Sequence, residues 1–153
     1  MIEVRAATPG DLDAIDAIEQ HSFKTPWPRS TFEGELTREW AHLDVALVAG
    51  RIVAFCDYWV VAPDMQVLAI ATHPDVRGRG IGRQLLEHVL ATAAQHGCQI
   101  ASLEVRASNA PAIALYEHAG FKTVHVRARY YQDDGEDALV MTRGLSTEPS
   151  PRP

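Results

Sequence analysis

The distribution of hydrophobic and polar residues along the chain predicts an ordered succession of strands and helices. Several short runs show the alternation or the continuous apolar character of strands, and longer stretches repeat apolar residues at helical spacing. The predicted strands are residues 2–6, 43–49, 52–62, 65–72, 100–106, 121–130 and 138–142. The predicted helices begin at Thr8, at Ser30, after the glycine-rich segment 77–83 and at Asn109.

Local signals at the helix ends support these boundaries. Thr8 precedes Pro9, an arrangement typical of an N-cap residue followed by the first helical position. Pro26 and Pro28 end this first helix. The segment Ser30-Thr31-Phe32-Glu33 predicts a capping box that opens the second helix.

The order β-α-α-β-β-β-α-β-α-β-β predicts a mixed α/β protein of the α+β class, with a mixed sheet flanked by helices. Three strands joined by hairpins precede two strand–helix crossovers, which excludes a purely doubly wound sheet and a sandwich. The length of 153 residues predicts one domain, which we place at residues 1–145. Residues 146–153 carry three prolines and are predicted to form a disordered tail.

Composition and charge narrow the class of protein. No apolar run approaches the roughly 20 residues that span a membrane, and the first residues lack a signal-peptide pattern. We therefore expect no membrane association and a cytoplasmic location, where the isolated Cys56 and Cys98 would be reduced core thiols. The net charge of −6 argues against nucleic-acid binding and suits a cationic substrate.

The segment Arg77-Gly78-Arg79-Gly80-Ile81-Gly82-Arg83 carries the strongest chemical signal. It lies between a predicted strand and a predicted helix, where glycines let backbone N–H groups converge on a ligand. The spacing matches neither a P-loop nor a dinucleotide fingerprint. The segment therefore predicts a phosphate-binding turn, and the alternative is a flexible basic surface turn.

A second group of polar residues follows on the next strand and helix. Alternation places Glu104 and Arg106 on the face opposite Leu103, so that Glu104 either faces a cleft or pairs with Arg106 in solvent. Asn109 is the predicted cap of the following helix. Tyr116 lies two turns into that helix, as a half-buried aromatic residue or as a proton donor.

Three motifs together resemble the GCN5-related N-acetyltransferases, the GNAT superfamily. The motifs are Arg-x-x-Gly-x-Gly at 77–82, Leu-Glu-Val-Arg-x-x-Asn at 103–109 and Ala-x-x-Leu-Tyr-x-x-x-Gly-Phe at 112–121. Within the superfamily the chain is similar to the bacterial ribosomal-protein-alanine N-acetyltransferases of the RimI type, over nearly all residues to about 143. The segments that support this are Pro26-Trp27 with Phe32, 104–109, Tyr130-Tyr131 and 135–138.

The resemblance implies a GNAT fold, with a mixed sheet of about seven strands and four helices, and an acetyl-CoA site without a metal. It implies that Glu104 is the general base and that Tyr116 is the general acid. The residues that it assigns to the cofactor are Ile70, Ala71, Thr72, Arg77, Gly78, Arg79, Gly80, Ile81, Gly82, Arg83 and Asn109. Relatives often have Asn-Ile-Ala-Val where this chain has Ala69-Ile70-Ala71-Thr72, a difference that affects a side chain more than the backbone contacts.

Two aromatic residues are expected on the acceptor side. Trp27 either caps the first helix as a hydrophobic lid or forms one wall of a peptide groove. Tyr131 is assigned to the groove, although alternation leaves open which of Tyr130 and Tyr131 packs and which lines it. His73 is interpreted as a turn residue rather than as a base.

The implied function is transfer of acetyl from acetyl-CoA to a protein N-terminus, namely the N-terminal alanine of a small-subunit ribosomal protein. An α-amine suits a carboxylate base because about a tenth of it is neutral at pH 7, far more than of a lysine amine. The alternatives are acetylation of a small amine, a polyamine or a lysine side chain, and an acyl-CoA-binding module without catalysis. A monomer is compatible with the sequence.

Overall fold

The computed structural model describes residues 2–145, so the predicted disordered tail lies outside the described residues. The strands are Glu3–Ala6 (β1), Ala41–Val48 (β2), Arg51–Val61 (β3), Asp64–Thr72 (β4), Ile100–Arg106 (β5), Lys122–Arg127 (β6) and Ala138–Gly144 (β7). The helices are Leu12–Ser22 (α1), Arg29–Glu35 (α2), Ile81–Gln95 (α3) and Ala110–His118 (α4), with short 3₁₀ turns at Pro9–Asp11 and Pro74–Val76. The predicted order of strands and helices is confirmed.

The strands form one sheet of seven in the order β1-β2-β3-β4-β5-β7-β6. The pairs β1–β2, β2–β3, β5–β7 and β6–β7 are antiparallel. Helix α3 connects β4 to β5, its neighbour in the sheet, and such a crossover joins parallel strands. The sheet is therefore mixed, and the predicted α+β class is confirmed.

The chain clusters into two compact units. Of the described residues, the first unit contains 2–59 and Val67–Val89, and the second contains Val60–Gln66 and 90–145. The assignment of residues 1–145 to one domain stays a prediction. None of the helices within residues 2–145 has the length and apolarity that crossing a membrane requires.

The core of the first unit forms because α1 buries one face. Leu12, Ile15 and Ile18 recur at helical spacing and pack with the edge-to-face pair Phe32 and Phe55, whose centroids are 5.4 Å apart. Each fully buried side chain of this size contributes about 1.5–3 kcal/mol. This packing fixes α1 and α2 against β2 and β3.

The sequence predicts the beginning of α1 better than the beginning of α2. Asp11 accepts the Thr8 N–H at 2.8 Å and an Arg5 N–H at 2.7 Å, and these bonds, above all that from Arg5, lower its pKa to about 2. The capping box predicted at Ser30 is wrong. Helix α2 begins at Arg29 after the extended Pro28, so Ser30 already lies inside it.

Two buried glutamates hold the chain around α1 and α2. Glu19 accepts the backbone N–H of Trp27 at 2.9 Å, and burial raises the pKa of its carboxyl group. Glu35 accepts the Trp59 indole N–H at 2.9 Å. The segment that carries Trp27 is thereby attached to α1 through its backbone.

Asp57 is fully buried beside Glu35. Neither Asp57 oxygen accepts an N–H or O–H from the described residues, and the Glu35 carboxyl lies within hydrogen-bonding reach. Burial, with a smaller effect of Glu35, raises the pKa of Asp57 to about 9. A pKa of about 9 favours the protonated form of Asp57 at neutral pH, and Arg38 binds the neighbouring Glu35 at 2.9 Å.

In the second unit, β5 alternates as the sequence predicts. Leu103 and Val105 are buried, and Leu103 lies opposite Met141 of β7. Glu104 and Arg106 therefore lie together on the other face of the strand.

Cys98 and Cys56 are buried free thiols, as predicted.

Candidate active site

The glycine-rich segment forms a sharp turn that ends at α3. Gly78 and Gly80 have φ of +80° and +78°, a region that L side chains rarely adopt. Apart from the glycine itself and its two chain neighbours, no described residue has a heavy atom within 4 Å of the position that a Cβ would take at Gly78 or Gly80. Helix α3 begins at Ile81, so its first N–H groups face the same turn. The turn can therefore admit an anionic group close to the backbone.

Arg77 has a structural function that the sequence did not reveal. Its Nε donates to the Thr72 carbonyl at 3.0 Å, and its Nη2 donates to the Ser22 Oγ at 3.1 Å and the His21 carbonyl at 3.3 Å. A cation at the carboxyl end of α1 is also favoured by the helix dipole. Arg77 thus connects the glycine turn to β4 and α1, whereas Arg79 is exposed.

The end of β4 alternates in burial. Ala71 packs in the core, and Ile70 and Thr72 are half-buried on the other side. His73 follows, and its Nδ1 accepts the Asp75 N–H at 3.1 Å. This bond supports the interpretation of His73 as a turn residue.

Glu104 has two hydrogen-bond donors on its carboxylate. Arg127 Nε lies 2.8 Å from Oε2, and the Tyr130 hydroxyl donates to Oε1 at 3.1 Å. The alternative in which Glu104 pairs with Arg106 is wrong, since Arg106 binds other carboxylates. The Glu104 side chain keeps 22% of its surface exposed, so a further ligand can reach it.

Arg106 binds the loop between β6 and β7. Its guanidinium lies 2.8 Å from Asp133, 3.2 Å from Asp134 and 3.4 Å from Glu136. Glu136 also accepts the Ser108 N–H at 2.8 Å, and its bonds, first those from Ser108, lower its pKa. Arg106 of β5 thus forms ion pairs with three carboxylates of a single loop.

Tyr116 and Asn109 lie on and before α4. Tyr116 is buried and contacts Phe121 edge-to-face, with centroids 5.9 Å apart. Asn109 caps α4 as predicted, because its Oδ1 accepts the Ala112 N–H at 3.3 Å.

The aromatic residues assigned to the acceptor side have different surroundings. Trp27 is half-buried and packs on Phe32 at 5.7 Å, which supports the lid interpretation. Tyr131 lies under the Arg106 guanidinium, 4.0 Å from its ring centroid. Tyr130 is the more exposed of the pair, and its hydroxyl contacts Glu104.

Sequence reasoning missed Arg127 and the contact of Tyr130 with Glu104. In the sheet, Arg127 pairs with Ala138, and Ala138 pairs with Arg106 on its other side. Residues paired across neighbouring strands lie on the same face of a sheet, so Arg127 shares its face with Arg106. Glu104 lies two residues before Arg106 on β5 and therefore shares that face as well. Only the pairing register could have revealed this, because the residues are more than 20 positions apart in the chain.

Comparison with known proteins gives a consistent result. The model of the acetyltransferase (GNAT) family matches residues 12–121. The [ribosomal protein bS18]-alanine N-acetyltransferase of Salmonella typhimurium is 39% identical over 138 residues, 89% of this chain and 93% of that protein. The N-alpha-acetyltransferase RimI of Mycobacterium tuberculosis is 34% identical over 155 residues, 97% and 96% of the two chains.

A solved structure agrees with these relatives. The crystal structure of the ribosomal-protein-S18-alanine N-acetyltransferase from Escherichia coli superposes with a TM-score of 0.88 at 35% sequence identity. The alignment covers 100% of this chain and 99% of that chain. The likeness therefore extends over the whole length of both proteins.

Proposed function

This chain belongs to the acetyltransferase (GNAT) family, and we propose that it transfers the acetyl group of acetyl-CoA to a protein N-terminus. The acceptor is the N-terminal alanine of a small-subunit ribosomal protein. The assignment of this acceptor rests on one relative, a [ribosomal protein bS18]-alanine N-acetyltransferase, which is 39% identical over 89% of the chain. A ribosomal acceptor agrees with the expected cytoplasmic location.

The glycine turn supports the assignment of the donor. Gly78 and Gly80 leave open space where side chains would stand, and the adjoining N–H groups of α3 suit the pyrophosphate of coenzyme A. The backbone of residues 70–72, at the end of β4, would hold the pantetheine arm. Arg77 keeps the turn in place through its bonds to Thr72 and Ser22.

The surroundings of Glu104 support its assignment as the base. The acceptor amine attacks the thioester carbon, a C–N bond forms, and Glu104 accepts a proton from the nitrogen, directly or through a water. A carboxylate has about four lone-pair sites, so the bonds from Arg127 and Tyr130 leave sites for that proton. The carboxylate also attracts the ammonium form of the amine before it is deprotonated.

Tyr116 completes the proton balance. As the C–S bond breaks, its phenol donates a proton to the leaving thiolate of coenzyme A, whose ordinary pKa is near 8.5 against about 10 for a tyrosine. Burial of the ring against Phe121 restricts its position, which favours transfer in a fixed geometry. Most of the remaining rate enhancement comes from holding the two substrates together.

Steady-state kinetics on an alanine-terminated peptide test these two roles. We expect Glu104→Gln to lower kcat by about 100-fold or more and Tyr116→Phe by about 10- to 100-fold, since each removes a proton-transfer group. Glu117→Gln changes an exposed glutamate of α4 and should behave as wild type. Full kcat in both Glu104→Gln and Tyr116→Phe at neutral pH would contradict the assignment.

A further inference from the structure

We propose that Arg106 is a positioning residue. It acts on the proposed base Glu104 through the loop between β6 and β7. This loop, residues 128–137, is called the acceptor loop below. Arg106 holds it in the conformation that places the Tyr130 hydroxyl on the Glu104 carboxylate. The inference rests on the proposed function, in which Glu104 is the base.

The first observation is the geometry of Arg106 on the loop. Its guanidinium reaches Asp133, Asp134 and Glu136 at 2.8, 3.2 and 3.4 Å. The Arg106 side chain is only 18% exposed, and the three carboxylates are 17–29% exposed. Partly buried, multidentate pairs of this kind fix geometry better than exposed single pairs, which contribute little.

The second observation is the charge of the loop itself. Asp133, Asp134 and Glu136 lie within four consecutive positions and repel one another without a shared cation. Bonds within the loop bend it further, since the Gly135 N–H donates to the Tyr131 carbonyl at 2.8 Å. Arg106 neutralises the carboxylates that this bend brings together.

The third observation is a chain of contacts from Arg106 to the base. The guanidinium covers the Tyr131 ring at 4.0 Å, and Tyr131 meets Tyr130 edge-to-face at 5.2 Å. Tyr130 then donates to Glu104 at 3.1 Å. Because Arg106 and Glu104 are two residues apart on β5, the strand that carries the base also anchors the loop that contacts it.

The contact of Arg127 with Glu104 is supported by the sheet, although the Arg127 guanidinium also lies 5.7 Å from the centroid of the Tyr130 ring. Arg127 lies within β6, where its backbone pairs with Ala138 of β7. Loss of the Arg106 anchor should therefore displace Tyr130 and leave the Arg127–Glu104 pair in place. This difference separates a positioning role of Arg106 from a general loss of structure.

The test is a double-mutant cycle of Arg106→Gln and Tyr130→Phe on an alanine-terminated peptide. We expect Tyr130→Phe to lower kcat/KM about tenfold or more in the wild-type background, the effect of one hydrogen bond to a charged group. We expect Arg106→Gln alone to lower kcat/KM by at least as much as Tyr130→Phe does. In the Arg106→Gln background, adding Tyr130→Phe should lower kcat/KM less than twofold further. KM for acetyl-CoA should stay within twofold.

Arg129→Gln is the matched control, because it also replaces an arginine by glutamine, but at an exposed position of the acceptor loop itself. It should keep the Tyr130→Phe effect in full. Arg106→Lys retains the charge without the planar fork, so we expect an intermediate loss. If Arg106→Gln fails to fold, Arg106→Lys replaces it in the cycle and should show the same coupling in reduced form.

Hydrogen exchange of the loop provides a readout without turnover. Arg106→Gln should speed exchange of the Tyr131 and Gly135 amides, which are hydrogen-bonded within the loop, by at least tenfold, and Arg129→Gln should not. Unchanged exchange, or effects of the two mutations that multiply fully, would overturn the proposal. A wild-type protein that acetylates no amine would contradict the proposed function, and the exchange result would still decide the role of Arg106.

Discussion

Glu104 and Asp57 are carboxyl groups in opposite surroundings, and the difference determines what each can do. Glu104 accepts bonds from Arg127 and Tyr130 and remains partly exposed. Asp57 is buried beside Glu35 and has no N–H or O–H donor among the described residues. A ligand can therefore reach the Glu104 carboxylate, whereas the Asp57 carboxyl group is enclosed in the core, where burial raises its pKa.

The raised pKa of Asp57 makes its effect on stability depend on pH. The folded protein holds this proton to about pH 9, while the unfolded chain loses it near pH 4. The contribution to stability is therefore complete below about pH 4 and is lost as the pH rises toward 9. The asparagine of Asp57→Asn is uncharged at every pH, so this variant lacks the pH-dependent loss. From pH 5 to pH 8, its free energy of unfolding should therefore rise relative to that of the wild type by about 1 kcal/mol or more.

Urea unfolding at several pH values measures this difference. Asp64→Asn, at an exposed position of β4, should show no such trend. A difference between Asp57→Asn and wild type that is the same at pH 5 and pH 8 would mean that Asp57 is ionised in the folded protein.

At the scale of elements, the glycine turn requires a backbone conformation that L side chains rarely adopt. Gly80→Ala introduces a Cβ at φ +78° and into the space proposed for the pyrophosphate. Gly50→Ala is a matched control, since Gly50 has φ +80° and equally open surroundings in the β2–β3 turn. Both should lose about 1 kcal/mol of stability from strain.

Only Gly80→Ala should impair use of the donor. We expect its KM for acetyl-CoA to rise about tenfold or more, while Gly50→Ala keeps the wild-type value. Calorimetric titration with coenzyme A measures the same effect on binding directly. Wild-type affinity in Gly80→Ala would place the pyrophosphate elsewhere.

Local patterns were sufficient to predict some elements and not others. Strand β5 is found at its predicted bounds, Ile100–Arg106, and Glu104 lies on its predicted face, because alternation and flanking signals are local. The strand predicted to reach Tyr130 ends at Arg127, since Arg129 adopts φ +51° and breaks the extended chain. Helix α2 begins before Ser30, because the extended Pro28 sets its first turn.

The partners of the candidate residues depend on distant pairing and could not be predicted. The contacts of Glu104 with Arg127 and Tyr130 follow from the β6–β7 register, which shifts between Thr123 and His125. A shift of one residue reverses the faces of a strand, so no local pattern determines this contact. The attachment of Arg77 to Ser22, 55 residues away, is unpredictable for the same reason.

At the scale of the whole molecule, the two compact units carry different chemistry. The first unit contains the glycine turn and the segment with Trp27, and the second contains Glu104, Tyr116 and the acceptor loop. The net charge of −6 suits a cationic acceptor, because the field of the protein raises its local concentration. The TM-score of 0.88 to the Escherichia coli structure agrees with the acetyltransferase (GNAT) fold.

The most direct test of the central claim compares two peptides by mass spectrometry after incubation with acetyl-CoA. One begins with a free alanine and contains no lysine, and the other has a blocked N-terminus and an internal lysine. We predict that the first gains one acetyl group and that the second stays unmodified. Equal acetylation of the blocked peptide would assign the activity to side-chain amines, and binding of acetyl-CoA with transfer to neither peptide would contradict the account.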